Sequence, residues 1–282
     1  MASVHYREVT TAPGVTLDVQ DSGPRTAGTV LLLHGFPQDH TAWTTVVPDL
    51  VAAGYRALAP DQRGYSPKAR PSGRSAYRLD ELAGDAVAVL DDVGADRAHV
   101  VAHDWGGVVG WVLGGRHPER LASLTVLSTP HPGALRAALL RGQALRSAYT
   151  LPLQVPVLPD LALGALGARP LRTVLRSAGL PAPAAAHYAA RMSERRALSS
   201  ALAWYRAIPV DRTTAGRCRV PTLYVWGAHD PALGRAAAER TAAFVRAPYR
   251  FVELPDAGHW LPETAAAEVV ALLLEHLRSH PA

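Results

Sequence analysis

Short runs that are apolar on both faces recur along this 282-residue chain, most of them followed by a helix-like stretch. They are Val30–Leu33, Ala57–Ala59, Val100–Ala102, Leu124–Leu127, Thr222–Trp226 and Arg250–Leu254. A strand with one face in water would alternate apolar and polar residues, so runs like these belong to parallel strands covered by helices on both sides. The rhythm predicts an α/β fold with a mostly parallel, doubly wound sheet. Val4–Val9 and Val15–Val19 flank Ala12-Pro13-Gly14 and read instead as a hairpin at one sheet edge. Helices are expected over Ala42–Ala53, Leu79–Val93, Gly106–Arg116, Arg235–Val245 and Thr264–Arg278.

From His131 to about Thr214 the strand runs vanish, and Ala, Leu, Arg and Pro dominate. The rhythm resumes at Pro221, so this stretch reads as a helical lid inserted into one sheet rather than as a linker. The expected organisation is a first core part over 1–131, a helical cap over 132–215 and a second core part over 216–282.

Composition narrows the class. Apolar residues make up 48% of the chain and charged residues 19%, below the roughly 25% of an average domain, which suits a large core. The net charge of +5 comes from scattered arginines, with Lys68 the single lysine. No basic stripe interleaved with aromatics appears, so nucleic acid is not an expected partner. The lone Cys218 excludes an intrachain disulfide, and no Cys/His group has zinc spacing, so no metal is expected. No basic segment followed by an apolar core opens the chain, and a cytoplasmic protein is expected. The longest apolar stretch, Leu151–Leu166, is broken by Pro152, Pro156 and Pro159 and carries Asp160; it is not a membrane helix, and no membrane partner is expected.

The chemistry concentrates where VVAHDWGGVVG, Val100–Gly110, runs from strand into helix. Ala102, His103, Asp104, Trp105 and Gly106 satisfy small-x-nucleophile-x-Gly, the pattern of a sharp strand-to-helix turn, with aspartate in place of the usual serine. Asp104 as a simple helix cap is the competing reading. A carboxylate nucleophile attacking an ester gives only an anhydride, whereas attack on an sp³ carbon bearing a leaving group gives an ester that water can cleave. Epoxides and alkyl halides fit. The water needs a base, and His259, in the loop after the last strand, is the candidate. Asp230, beyond the strand Pro221–Gly227, would orient it, with Asp256 as rival; the order Asp104, Asp230, His259 is nucleophile, acid, base. The turn at LHGFP, Leu33–Pro37, would aim the Phe36 N–H, with that of Trp105, at an oxyanion.

These segments together resemble the α/β-hydrolase superfamily over nearly the whole chain, and within it the epoxide hydrolases: HGFP (His34–Pro37), DQRGYS (Asp61–Ser66), HDWGG (His103–Gly107), WGAHD (Trp226–Asp230) and GHW (Gly258–Trp260). HDWGG is shared with haloalkane dehalogenases. WYRA at Trp204–Ala207 and RSAYTLPLQVP at Arg146–Pro156 resemble the lid segments that carry the epoxide hydrolases' two tyrosines, which implies that Tyr205 and Tyr149 donate hydrogen bonds to the epoxide oxygen. Ring opening leaves an alkoxide that needs an acid, and a phenol in an apolar lid can serve. Phe36 stands where many dehalogenases have Asn, and Trp105 and Val108 replace the arginines of the fluoroacetate dehalogenase pattern. Ala203 replaces the family's Asn before WYR, and Ala148 and Pro152 stand where larger side chains are usual, so a wider pocket is expected.

The resemblance therefore implies an epoxide hydrolase without metal or organic cofactor, acting on a small-molecule epoxide and water. Asp104 is the nucleophile, His259 and Asp230 the water-activating pair, Tyr149 and Tyr205 the acids, and Phe36 and Trp105 the oxyanion hole. His34, Phe36, Pro37 and Trp105 are expected against the substrate. A haloalkane dehalogenase and a non-catalytic ligand-binding relative are the alternatives, and a homodimer is left open.

Overall fold

The computed structural model describes residues 4–281; residues 1–3 and 282, the outermost positions of the two expected core parts, lie outside it. Its sheet contains β1 (Val4–Ala12), β2 (Val15–Ser22), β3 (Thr29–Leu33), β4 (Arg56–Pro60), β5 (Ala98–His103), β6 (Leu121–Leu127), β7 (Thr222–Gly227) and β8 (Tyr249–Leu254). The spatial order is β1-β2-β4-β3-β5-β6-β7-β8. β1 and β2 form the expected antiparallel hairpin at one edge, β2 meets β4 antiparallel, and β4 through β8 run parallel.

Each central strand feeds two cores. Leu31 and Leu33 face one side while Val30 and Leu32 face the other; Val100 and Ala102 divide from Val101 in the same way. This double burial is why the strands read as continuous apolar runs. One core holds Trp111 and the other Trp43, both fully buried. The helices that cover the faces are α1 (Val47–Ala52), α2 (Leu79–Asp92) and α3 (Trp105–Arg116). Between β6 and β7 come α4 (Pro132–Ala137), α5 (Gln143–Ser147), α6 (Thr150–Leu153), α7 (Leu158–Ser177), α8 (Ala182–Met192) and α9 (Ala197–Ala207), with no strand among them. α10 (Arg235–Arg240), α11 (Leu261–Thr264) and α12 (Ala266–Ser279) complete the chain.

Three expected helices are shorter than the sequence suggested. Ala42–Ala53 splits into a 3-10 turn, His40–Trp43, and α1, because Pro48 fits only a first helical turn. Arg235–Val245 ends as α10 at Arg240 and tightens into a 3-10 turn, Thr241–Phe244. Thr264–Arg278 is divided by Ala265, whose backbone leaves helical angles between α11 and α12.

The inserted helices lie on the carboxyl ends of the strands and are tied there by polar contacts. Trp204 Nε1 donates to Arg63 O at 2.8 Å, and Trp260 Nε1 donates to Ala178 O at 2.9 Å. Arg146 donates to Asp230 O at 2.9 Å, and Gln143 bonds Ala232 O and Gly234 N. On α8, His187 and Arg191 reach the core carboxylates of Asp39 and Asp61.

Candidate active site

Asp104 stands between β5 and α3 with φ 50° and ψ −120°, a conformation that costs a non-glycine residue of order 1–3 kcal/mol and persists only when its surroundings enforce it. Two glycines make the enforcement possible. A Cβ on Gly106 would collide with the Leu33 and His34 carbonyl oxygens, and one on Gly35 would collide with the Asp104 side chain. The ends of β3 and β5 can therefore approach almost backbone to backbone.

Asp104 makes no side-chain cap bond to α3, which disposes of the simple capping role. Its Oδ1 accepts from the Phe36 N–H at 2.8 Å, and its Oδ2 lies 3.6 Å from His259 Nε2. The other ring nitrogen, Nδ1, is 2.7 Å from Asp230 Oδ2. Asp230 is 2% exposed, and its Oδ1 accepts from the N–H groups of Ala232 and Leu233, which fixes its orientation. Asp256, the rival partner, is exposed. Burial would raise the Asp104 pKa, but nearby His259 outweighs it with help from the Phe36 amide, and the carboxyl is held below its ordinary value. Burial would likewise lower the pKa of His259, yet the carboxylates of Asp230 and Asp104 drive it well above that of a free imidazole.

A cavity of about 330 Å³ opens over Asp104 and His259, a size suited to a small molecule. Its walls are mainly apolar, with Leu153, Leu163, Leu171 and Leu175 from the insert. Tyr149 and Tyr205 line it as well, so four of the five expected catalytic side chains face one space, and Asp230 lies buried behind His259 and meets it through Nδ1. Tyr205 is 3% exposed, its ring packed edge-on against Phe36 and Trp105 at centroid distances of 5.5 and 5.0 Å. Tyr149 is 48% exposed and stands nearer the mouth. Burial and the neighbouring Asp104 carboxylate push both phenols' pKa values up, so both remain protonated at neutral pH.

Three expected substrate contacts, those of His34, Pro37 and Trp105, are not made at the cavity wall. His34 is fully buried; its Nδ1 is 2.9 Å from Gly35 O, its Nε2 accepts from the Gln62 N–H at 3.1 Å, and Gln62 Nε2 donates back to His34 O at 2.6 Å. His34 therefore staples the HGFP turn to the DQRGYS segment. Pro37 is also buried outside the cavity lining. Phe36 lines the cavity as expected, while Trp105 stands behind Tyr205.

A family model described as the alpha/beta hydrolase fold matches residues 28–266. Epoxide hydrolase A of Mycobacterium tuberculosis is 36% identical over an alignment covering 94% of each chain. The crystal structure of Epoxide Hydrolase A from Mycobacterium thermoresistibile superposes with a TM-score of 0.85 at 30% identity, covering 99% of both chains. The chain belongs to the epoxide hydrolase family of the α/β-hydrolase superfamily. The AB hydrolase superfamily protein YfhM of Bacillus subtilis is also similar, 32% identical across 94% of this chain and 96% of its own.

In this family member the site rests on side chains that sequence reasoning passed over. Both ring nitrogens of His103 face oxygens, Gln38 Oε1 at 2.8 Å and His259 O at 2.9 Å. Burial lowers its pKa to about 4, so the neutral ring supplies one of these contacts with its hydrogen. Ser128 Oγ donates to the same His259 carbonyl at 2.7 Å. Gln38 is held in turn by the Gly35 N–H and by Glu263, whose Oε1 also accepts from Tyr188 on α8 at 2.9 Å. His103 stood in plain sight beside Asp104, whereas nothing in the spacing of Gln38 and Glu263 announced that they meet. Asp39, His40 and Asp61 bring metal-type ligand atoms together, but Arg191, His187 and His40 already pair with the two carboxylates.

Proposed function

We propose that this chain hydrolyses small epoxides to vicinal diols through an ester formed on Asp104. One observation carries the reading: an ionised carboxylate and two protonated phenols face each other across one largely apolar cavity. Oδ1 is occupied by the Phe36 amide, so the freer Oδ2 is the attacking atom. It forms a bond to an epoxide carbon as the carbon–oxygen bond breaks, and the released oxygen takes a proton from Tyr205 or Tyr149. The inserted helices act as the cap that supplies both phenols and keeps bulk water from the ring-opening step.

Esterification changes the second half of the reaction. Oδ1 becomes the ester carbonyl oxygen and stays on the Phe36 N–H, which then meets the oxyanion formed when water adds, with the Trp105 N–H as second donor. Asp104 has also lost its charge, which removes one of the two carboxylates that keep His259 protonated. The His259 proton passes to the phenolate left by ring opening, which restores the phenol, and the neutral imidazole then takes a proton from water, with Asp230 stabilising the imidazolium that forms. Collapse of the tetrahedral intermediate passes its remaining hydroxyl proton to the departing alkoxide, which returns the carboxylate, releases the diol and leaves His259 protonated as at the start. The scheme draws on no metal or cofactor, and Phe36 offers no side-chain donor to a departing halide.

The test is a single turnover in heavy-oxygen water together with turnover of styrene oxide and a haloalkane panel. The label should enter the Asp104 carboxyl first, and His259→Gln should accumulate a protein adduct heavier by the whole epoxide. Label appearing directly in the diol, with no adduct in the variant, overturns the reading.

A further inference from the structure

We propose that the outer face of α5–α7 docks on an anionic lipid surface. Residues 139–166 expose an unusual run of large apolar side chains to water: Leu140 is fully exposed, and Leu145, Leu151, Leu158, Leu161 and Leu166 each keep about two thirds or more of their area uncovered. Scattered exposed leucines are ordinary, but this many on one short stretch marks an interaction surface.

Charge selects the partner. From Pro132 to Met192 the sole acid is Asp160, and it is paired with Arg206. Arg136, Arg141, Arg169, Arg172 and Arg176 are exposed and make no salt bridge among the described residues. Arg172 and Arg176 lie one turn apart and, with Thr173 and Ser177, line an open groove of about 630 Å³. The guanidinium groups are the free donors of this groove, since Thr173 Oγ1 and Ser177 Oγ already donate to the Arg169 and Val174 carbonyls, and across the break in α7 at Ala165–Ala168 stand the exposed leucines. Cations and apolar side chains on one segment match a phosphate headgroup above acyl chains. A second copy of the chain is a poorer occupant, because it would bring the same unpaired arginines against their own kind.

The geometry favours lying on a bilayer over crossing it. No single helix of the described residues is long and apolar enough to span; Gln143–Leu153 and Leu158–Ser177 reach that composition only together, and they meet at 81°. Leu163, Leu171 and Val174 of α7 also line the cavity, so this face adjoins the cavity wall. The proposal stands whether or not the cavity turns over epoxides.

The experiment is sedimentation of the full chain with vesicles of phosphatidylcholine alone and of phosphatidylcholine containing one third phosphatidylglycerol. Binding should be at least tenfold stronger to the anionic vesicles and should be released by 1 M salt, where screening is nearly complete. Arg172→Glu with Arg176→Glu should weaken it tenfold or more, as should Leu158→Ser with Leu161→Ser, while circular dichroism and monomer fold are unchanged. No binding to the anionic vesicles, or equal binding to both kinds, overturns the proposal. So does a dimer in solution that the leucine variant dissolves.

Discussion

His259 Nε2 lies 3.6 Å from Asp104 Oδ2 while its Nδ1 is bonded to Asp230 at 2.7 Å, so the imidazole sits between two carboxylates. That sandwich holds its pKa well above the ordinary value in the resting protein. Removing one charge should lower it. In Asp104→Asn the His259 pKa, followed by NMR, is expected to fall by roughly a unit or more, since a close opposite charge shifts a pKa by 1–3 units. An unchanged titration would mean that esterification of Asp104 does not free the base.

The two tyrosines differ in how much of each residue the protein encloses, and the difference predicts unequal roles. Tyr205 is sealed between Phe36 and Trp105, whereas Tyr149 is half-exposed. Tyr205→Phe should cost about 10²-fold in epoxide opening, at the low end of general-acid effects. Tyr149→Phe should cost less, because the half-exposed Tyr149 residue is positioned less firmly than the enclosed Tyr205. Pre-steady-state rates of ester formation measure both, and equal losses would contradict the burial argument. Because both pKa values are raised, the alkaline limb of ring opening should lie above pH 10.

How far the sequence revealed this arrangement depends on which interactions leave a local trace. Strands buried on both faces had to be apolar throughout, so Leu31, Val101 and Val126 announced a covered parallel sheet. Asp104 was legible because its turn demands small neighbours on both sides, and His259 and Asp230 because each follows a strand that ends on the same edge. The resemblance supplied Tyr149 and Tyr205, which no periodicity singles out. His34 was misplaced because the same HGFP turn that aims Phe36 inward sends the preceding ring into the packing beneath. Gln38 and Glu263 were invisible: they are 225 positions apart, and a polar contact at that distance leaves no spacing to read.

Glu263 should make stability depend on pH. Its Oε2 is buried without a partner, and burial raises its pKa from 4.5 to about 7 despite bonds from Gln38 and Tyr188. Between those values the native state holds a proton that the unfolded chain releases, so this contribution is present at low pH and is lost as pH rises through 7. Glu263→Gln removes the ionisation, and relative to the parent it should gain roughly 1–3 kcal/mol in urea unfolding between pH 5 and pH 8. A parent–variant difference that stays flat across that range would show that the carboxyl is not desolvated.

Gly35→Ala tests whether close approach, rather than chain flexibility, explains the glycine beside the nucleophile. An added methyl would fall on the Asp104 side chain, which cannot retreat because Gly106 already presses the turn against the Leu33 carbonyl. The carboxylate must shift and loosen its bond to the Phe36 N–H, and a displacement of about 1 Å is enough to cost about 10²-fold in rate. Overpacking should also remove about 1–3 kcal/mol of stability. Gly84→Ala is the control: it lies exposed on α2 with nothing within 4 Å of the new methyl, so it should gain about 0.5–1 kcal/mol through helix propensity alone and leave turnover intact. If Gly35→Ala instead behaved like Gly84→Ala in both turnover and melting, the Asp104 carboxylate would not depend on the contact that the two strand ends impose.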